Sequence, residues 1–309
     1  MLTPEQKKSH FHELLLKWYK NKGRDHLPWR KTSDPYHILV SEIMLQQTQV
    51  DRVLPKYLLF LETFPTLEAL AKGSVADVLR LWSGLGYNSR ALRLKKVAEV
   101  VVEKFAGKMP QDREQLRALP GIGNYTSGAV MAFAFHAPVS FVDTNIKRIL
   151  HRIFVGPEFQ GWKRSDKEME HLAEEVCPLD ASYAYHQALM DLGSSLCRAA
   201  QVQCEQCPMA PICNTAVEIK FHPELVSEKR VSYKKSTVPF KQSKRFIRGG
   251  IVKYLRHDLE HKGVSFSELL DYVSTELRPM VETELLEILG ALVAEGLVSV
   301  KGGRYYLGS

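Results

Sequence analysis

The pattern of apolar residues predicts an all-α fold over the first two thirds of the chain, followed by a small helical module that ends in a hairpin. Three observations carry this reading. Apolar residues recur at helical spacing over residues 4 to 20 and again from Asp34 to about residue 216, the latter span broken by the turns FPT, GLGY, KMP and LPGIG. No strand-type alternation occurs in that span. Two short alternating runs stand at the C-terminal end, VSV and RYYL, joined by Lys301-Gly302-Gly303.

The elements follow in order. Phe11, Leu14, Leu15, Trp18 and Tyr19 share one face of a first helix over residues 4 to 20. Asp34 is an N-cap candidate, with Pro35 at the first helical position of the next. Helices then alternate with Gly- and Pro-containing turns up to the cysteine-rich stretch. Residues 217–245 are polar, basic and dotted with Pro and Ser, which predicts a linker. The tail reads as helices near 246–260, 266–275 and 281–295, then the hairpin. Three helices and a terminal hairpin resemble a winged-helix module, a fold that binds DNA in some proteins and other proteins elsewhere.

With 309 residues and 45% hydrophobic content the chain can bury a core and divide into two or three domains. Its start, MLTPEQKKSHFHELLLKWYK, lacks the apolar run and cleavage site of a secretory signal. No run reaches transmembrane length. A cytoplasmic monomer that makes no membrane contact is expected. The net charge is +7, and its location is informative: residues 229–256 hold ten basic residues and no acidic one, leaving 32 basic against 35 acidic elsewhere. Such a strip is either a self-repelling solvated linker or a phosphate-tracking surface.

Four of the five cysteines, Cys197, Cys204, Cys207 and Cys213, lie in one stretch with the spacing C-x6-C-x2-C-x5-C. In a reducing compartment clustered cysteines favour metal ligation over disulfides, which leaves zinc and an iron–sulfur cluster open. Further upstream, Ile38, Glu42 and Leu45 share a helical face, so a carboxylate sits in an apolar stripe; such a group is paired, protonated or functional. Gln46 and Gln47 after it carry amides suited to base edges. In LPGIGNYTSGA, Gly121 and Gly123 permit a tight turn ahead of a helix whose first amides form an anion site. Asp143, just before an apolar-periodic segment, is read from its position as an N-cap.

Taken in order, SEIMLQQTQV, LWSGLGYNSRA, LPGIGNYTSGA, VDTNIKRIL, QALMDLG and the cysteine spacing resemble the helix-hairpin-helix DNA glycosylases of the endonuclease III superfamily, and within it the adenine DNA glycosylases of the MutY family, over residues 5 to 216. The resemblance implies a [4Fe–4S] cluster on the four cysteines, a six-helix barrel over 30–140 and a cluster domain from 1–29 and 141–216. Residues 217–245 would remain a basic linker and 246–309 the winged-helix-like module. The implied partner is double-stranded DNA with a mismatch or lesion, whose target base is flipped into a pocket between the two parts, with Glu42 and Asp143 facing each other there.

By the same resemblance Glu42 is the general acid, and Asp143 stabilises the positive charge on the sugar. Asn145 and Tyr125 orient them. Gln47 and Tyr87 wedge into the duplex, Gly121 and Gly123 grip a phosphate, and Val50 and Gln187 are pocket positions that favour adenine. Relatives that cut the strand have lysine where Tyr125 stands, and a phenol cannot form a Schiff base, so a monofunctional enzyme is implied.

The chain departs from the pattern in three places. The cysteine stretch has Arg198 as its only basic residue and Glu205-Gln206 in its short loop. Thr144 replaces a common glycine. Residues 246–309 are too short and too helical for the Nudix-like domain that helps many members detect 8-oxoguanine, so adenine excision is implied more strongly than 8-oxoguanine recognition. The rival readings are a mismatch thymine or uracil glycosylase on the same scaffold, and a non-enzymatic cluster-containing DNA-binding regulator.

Overall fold

The structure is a computed structural model that describes residues 2–157, 164–199, 201–221, 239–258 and 262–308. Lys229, Arg230, Lys234 and Lys235 of the basic strip lie outside the described residues, as does most of the expected linker. The chain divides into two compact units. The first comprises Met1–Ile38, Gln111–Glu114 and Ile122–Tyr233; the second comprises Leu39–Pro110, Gln115–Gly121 and Lys234–Ser309.

Fifteen α-helices are described. Helices α1 (Pro4–Lys22), α2 (Pro35–Leu45), α3 (Val50–Thr63), α4 (Leu67–Lys72) and α5 (Val75–Leu81) are followed by α6 (Ser89–Phe105), α7 (Arg113–Arg117), α8 (Asn124–Ala134), α9 (Thr144–Leu150) and α10 (Asp166–Val176). Then come α11 (Ser182–Ser195), α12 (Asn214–Phe221), α13 (Lys244–Arg256), α14 (Phe266–Tyr272) and α15 (Glu282–Ala294). Their ends carry the expected chemistry. Thr3 and Gln6 form a capping box on α1, and Asp34 Oδ1 accepts from the amides of Tyr36 and His37 at the start of α2. Thr66, in the FPT turn, caps α4.

In the first unit α1 packs on α11 and α11 on α9. Phe11 and Leu15 are fully buried there with Ile146, Leu150, Tyr185 and Leu192, and Leu14, Trp18 and Tyr19 pack against them. Asp191, 2% exposed, receives both guanidinium nitrogens of Arg30 at 2.7 and 2.8 Å and Arg24 Nε at 2.6 Å. This buried, bidentate pair ties the segment after α1 to α11. Helix α8 lies in this first unit, in contact with α11 and with Phe141.

In the second unit α6 packs against α4 and α5. The C-terminal module joins this unit because α13 and the module's last strand rest on α5. Strands β1 (Val264–Ser265), β2 (Val298–Lys301) and β3 (Arg304–Leu307) form an antiparallel sheet in the order β1-β3-β2. Gly302 and Gly303 both have positive φ (56° and 72°), the two-residue turn whose twist matches a hairpin. Ile247, Ile251 and Leu255 on α13, and Leu285, Ile288, Leu289 and Leu292 on α15, form the buried faces. β1 is an addition to the expected plan, too short at two residues to show alternation. Among the described residues no helix is long and apolar enough to cross a membrane.

Candidate functional site

In the first unit Asp143 is the N-cap of α9, as its position predicted: its Oδ1 accepts from the Ile146 amide at 2.7 Å. Its other oxygen accepts from Asn145 Nδ2 at 2.7 Å. Asn145 Oδ1 in turn accepts from Arg148 Nη1 at 2.9 Å, and Arg148 also donates to the carbonyls of Gly193 and Cys197. A chain of hydrogen bonds therefore runs from the carboxylate to the backbone of the first clustered cysteine. Arg148 was missed in the sequence; its one signal is the i, i+3 spacing from Asn145 on α9.

The backbone leading to Asp143 is held from α11. Phe141 stacks on His186 with ring centroids 3.9 Å apart, and its amide donates to His186 Nε2. His186 Nδ1 faces the Ser182 carbonyl at 2.8 Å, so the ring serves as a neutral connector; burial pushes its pKa down to about 4. Tyr125, half-buried on α8, meets the Phe141 ring edge-on at 5.5 Å. Gln187 is buried on α11, 5% exposed. Gly123 is the N-cap of α8, which has no side-chain cap. Gly121 has φ +77°, and a Cβ there would lie 2.6 Å from Arg93 Cδ.

The cysteine stretch coils in successive tight turns, with the Cys207 amide bonded to the Cys204 carbonyl and the Cys213 amide to that of Ala210. Cys197, Cys204, Cys207 and Cys213 line one pocket together with apolar groups that include Leu192 and Met209. Burial pushes the thiols of Cys204, Cys207 and Cys213 up, Cys207 to about 12 and Cys213 to about 11. Buried thiols of this kind bind as thiolates only when a cation is present to offset desolvation. Arg152 Nη1 approaches Cys197 Sγ at 3.6 Å. Among the described residues no three His, Cys, Asp or Glu side chains form a site for one metal ion. The four cysteines share the lining of that one pocket, a set of soft sulfur donors of the kind that zinc and iron–sulfur groups take. Cys177 is separate, buried beside Val139.

In the second unit Glu42 is buried on α2, 7% exposed, with Leu39, Ile43 and Met44 buried on the same helix. The turn after α2 places Gln47 exposed with φ +54°, and the GLGY turn places Tyr87 42% exposed with φ +46°. Left-handed conformations in residues other than glycine store strain and need support. Arg90 supplies it, and the sequence did not single it out. Its buried guanidinium donates to the carbonyls of Ile43, Met44 and Gln46 on one side and to Thr48 Oγ1, Leu85 O and Gly86 O on the other. One planar fork thereby clasps both exposed turns together. Val50, half-buried, begins α3 directly after the first of them.

The HhH-GPD superfamily of base excision DNA repair proteins matches residues 40–179. The adenine DNA glycosylase of Buchnera aphidicola subsp. Baizongia pistaciae is 36% identical over 68% of this chain, which spans 59% of that relative's length. The thymine/uracil-DNA glycosylase of Pyrobaculum aerophilum is 33% identical over 65% of this chain and 88% of its own. A solved thermostable thymine-DNA glycosylase superposes with TM-score 0.64 at 31% identity, covering 69% of this chain and 98% of that one. The glycine-turned hairpin before α8 and the capped carboxylate after it lie inside the matched span, and with near-complete coverage of such relatives the chain belongs to the HhH-GPD superfamily of base excision DNA repair proteins.

Proposed function

We propose that the protein is a monofunctional DNA glycosylase that removes adenine mispaired with guanine or 8-oxoguanine from double-stranded DNA, with a [4Fe–4S] cluster on Cys197, Cys204, Cys207 and Cys213. The observation that carries this is the hydrogen-bonding of Asp143, whose two oxygens both accept, in a chain 36% identical to an adenine DNA glycosylase. Glu42 protonates a ring nitrogen of the adenine as the bond to C1′ breaks, and the electron pair leaves with the base. Asp143 stabilises the cationic sugar that remains, with Asn145 and Tyr125 holding the local geometry. Glu42, now ionised, takes a proton from a water that adds to C1′. Gln47 and Tyr87 enter the duplex, Gly121 and Gly123 leave backbone amides open to a phosphate, and Val50 and Gln187 border the base. Bound at its cysteines, the cluster would supply cross-linking and positive charge to the buried thiolates, and Arg148 connects that loop to Asp143.

Single-turnover assays on duplexes with adenine opposite guanine or 8-oxoguanine, and thymine or uracil opposite guanine, test the reading. Adenine release is expected, with the abasic strand intact until alkali is added, because Tyr125 offers no amine. Release of thymine or uracil alone would favour the second reading, which the 88% coverage of the thymine/uracil-DNA glycosylase supports. The purified protein is expected to be yellow-brown with about four irons per chain, and Cys177→Ser is expected to keep the colour. Colourless protein containing a single zinc would remove the cluster from this account.

A further inference from the structure

The C-terminal module has the element order helix, strand, helix, helix, strand, strand, so α14 and α15 stand as a helix-turn-helix pair. In DNA readers of that type the second helix enters the major groove. Here α15 carries Glu282, Glu284 and Glu287 and no basic residue. Like charge would oppose its approach to phosphates. The basic helix α13 spends two cations within the module, since Lys244 pairs with Glu287 at 2.6 Å and Arg248 with Glu295, the C-cap of α15.

Two other arginines of α13 turn to the GLGY turn. Arg256 Nη2 donates to Asn88 Oδ1 at 2.9 Å and Nη1 to Ser83 Oγ at 3.3 Å, which pins both ends of the turn. Arg245, exposed, lies over the ring of Tyr87 at 4.3 Å from its centroid, closer than Arg90 at 5.5 Å. The module is seated tightly on the same region: a Cβ on Gly308, after β3, would come within 2.4 Å of Val75 Cγ1 on α5. Of the described basic residues in the strip, four are thus engaged within this unit.

We propose that the C-terminal module serves DNA binding by bracing the Tyr87 turn, with Arg245 as a positioning residue that sets the Tyr87 ring for entry into the duplex, and that α15 does not read DNA. This rests on the reading of Tyr87 as a duplex wedge. The test uses the full chain and an adenine-containing mismatched duplex with 2-aminopurine beside the base opposite the target. Arg245→Ala, Tyr87→Ala and the double variant are compared for affinity, 2-aminopurine fluorescence on binding, and excision at saturating enzyme. Arg245→Ala is expected to weaken binding about threefold, the size of an exposed cation–π contact, and to lower the fluorescence rise, while saturated excision and melting temperature stay near wild type. The double variant is expected to be no weaker than Tyr87→Ala, and Arg245→Lys to recover part of the loss. Additive losses, or a fluorescence rise unchanged in Arg245→Ala, would overturn the brace while leaving the glycosylase reading intact. A wild type that releases no base from any mismatched duplex overturns both.

Discussion

Glu42→Gln is expected to abolish base release while mismatched DNA is still bound. Glutamine has the shape of glutamate but no proton to deliver and no anionic form with which to activate water. Removing a general acid–base group of this kind costs about 10³-fold in rate. The site in α2 makes the substitution a clean one: Glu42 is 7% exposed between buried neighbours Leu39, Ile43 and Met44, and the neutral amide does not bring a new charge into that helix face. The turn that follows, with Gln47, is held by Arg90 on backbone carbonyls, which the substitution leaves in place. Single-turnover excision of adenine, together with equilibrium binding to the same duplex, checks the result. A near-normal rate would show that the two-carboxylate chemistry is wrong for this chain; lost binding would show instead that Glu42 shapes the turn.

What the sequence revealed of this site is what local chemistry controls. Caps at Asp34 and Asp143 are visible because the capping side chain and the amides it serves lie within three residues. The burial of Glu42 follows from helical spacing, and the C-terminal hairpin from its paired glycines. Residues acting across the chain were not legible. Arg90 reaches carbonyls 44 to 47 positions earlier, and Arg148 reaches one 49 positions later. The strip between 229 and 256 left a solvated linker and a phosphate-tracking surface both open, and the acidic partners of its Lys244 and Arg248, Glu287 and Glu295, come 43 and 47 residues later. The stack of Phe141 on His186, which holds the backbone ahead of Asp143, joins residues 45 apart. Periodicity carries no record of such pairings.

Asp143→Asn is the second large effect expected, and the direction of the hydrogen bonds explains it. Every donor around this group points at it: the Ile146 amide meets Oδ1, Asn145 Nδ2 meets Oδ2, and Arg148 fixes Asn145 by donating to its Oδ1. An asparagine at 143 can still accept from the Ile146 amide and cap α9, since asparagine and aspartate cap about equally well. Its NH2 then confronts the NH2 of Asn145. Asn145 cannot turn its own oxygen toward it without giving up Arg148, which is held in turn by the Gly193 and Cys197 carbonyls. The variant therefore keeps its helix but loses the negative charge offered to the sugar, and one hydrogen bond of the chain. Losing such electrostatic stabilisation lowers a rate by about 10²- to 10³-fold. Asp143→Ala separates the two roles, because it also removes the cap, worth about 1 kcal/mol. The melting temperature should fall for the alanine variant and stay near wild type for asparagine, while both lose the rate. If asparagine instead kept the rate and alanine lost it along with stability, Asp143 would be a helix cap alone, and the charge on the sugar would have to be met elsewhere.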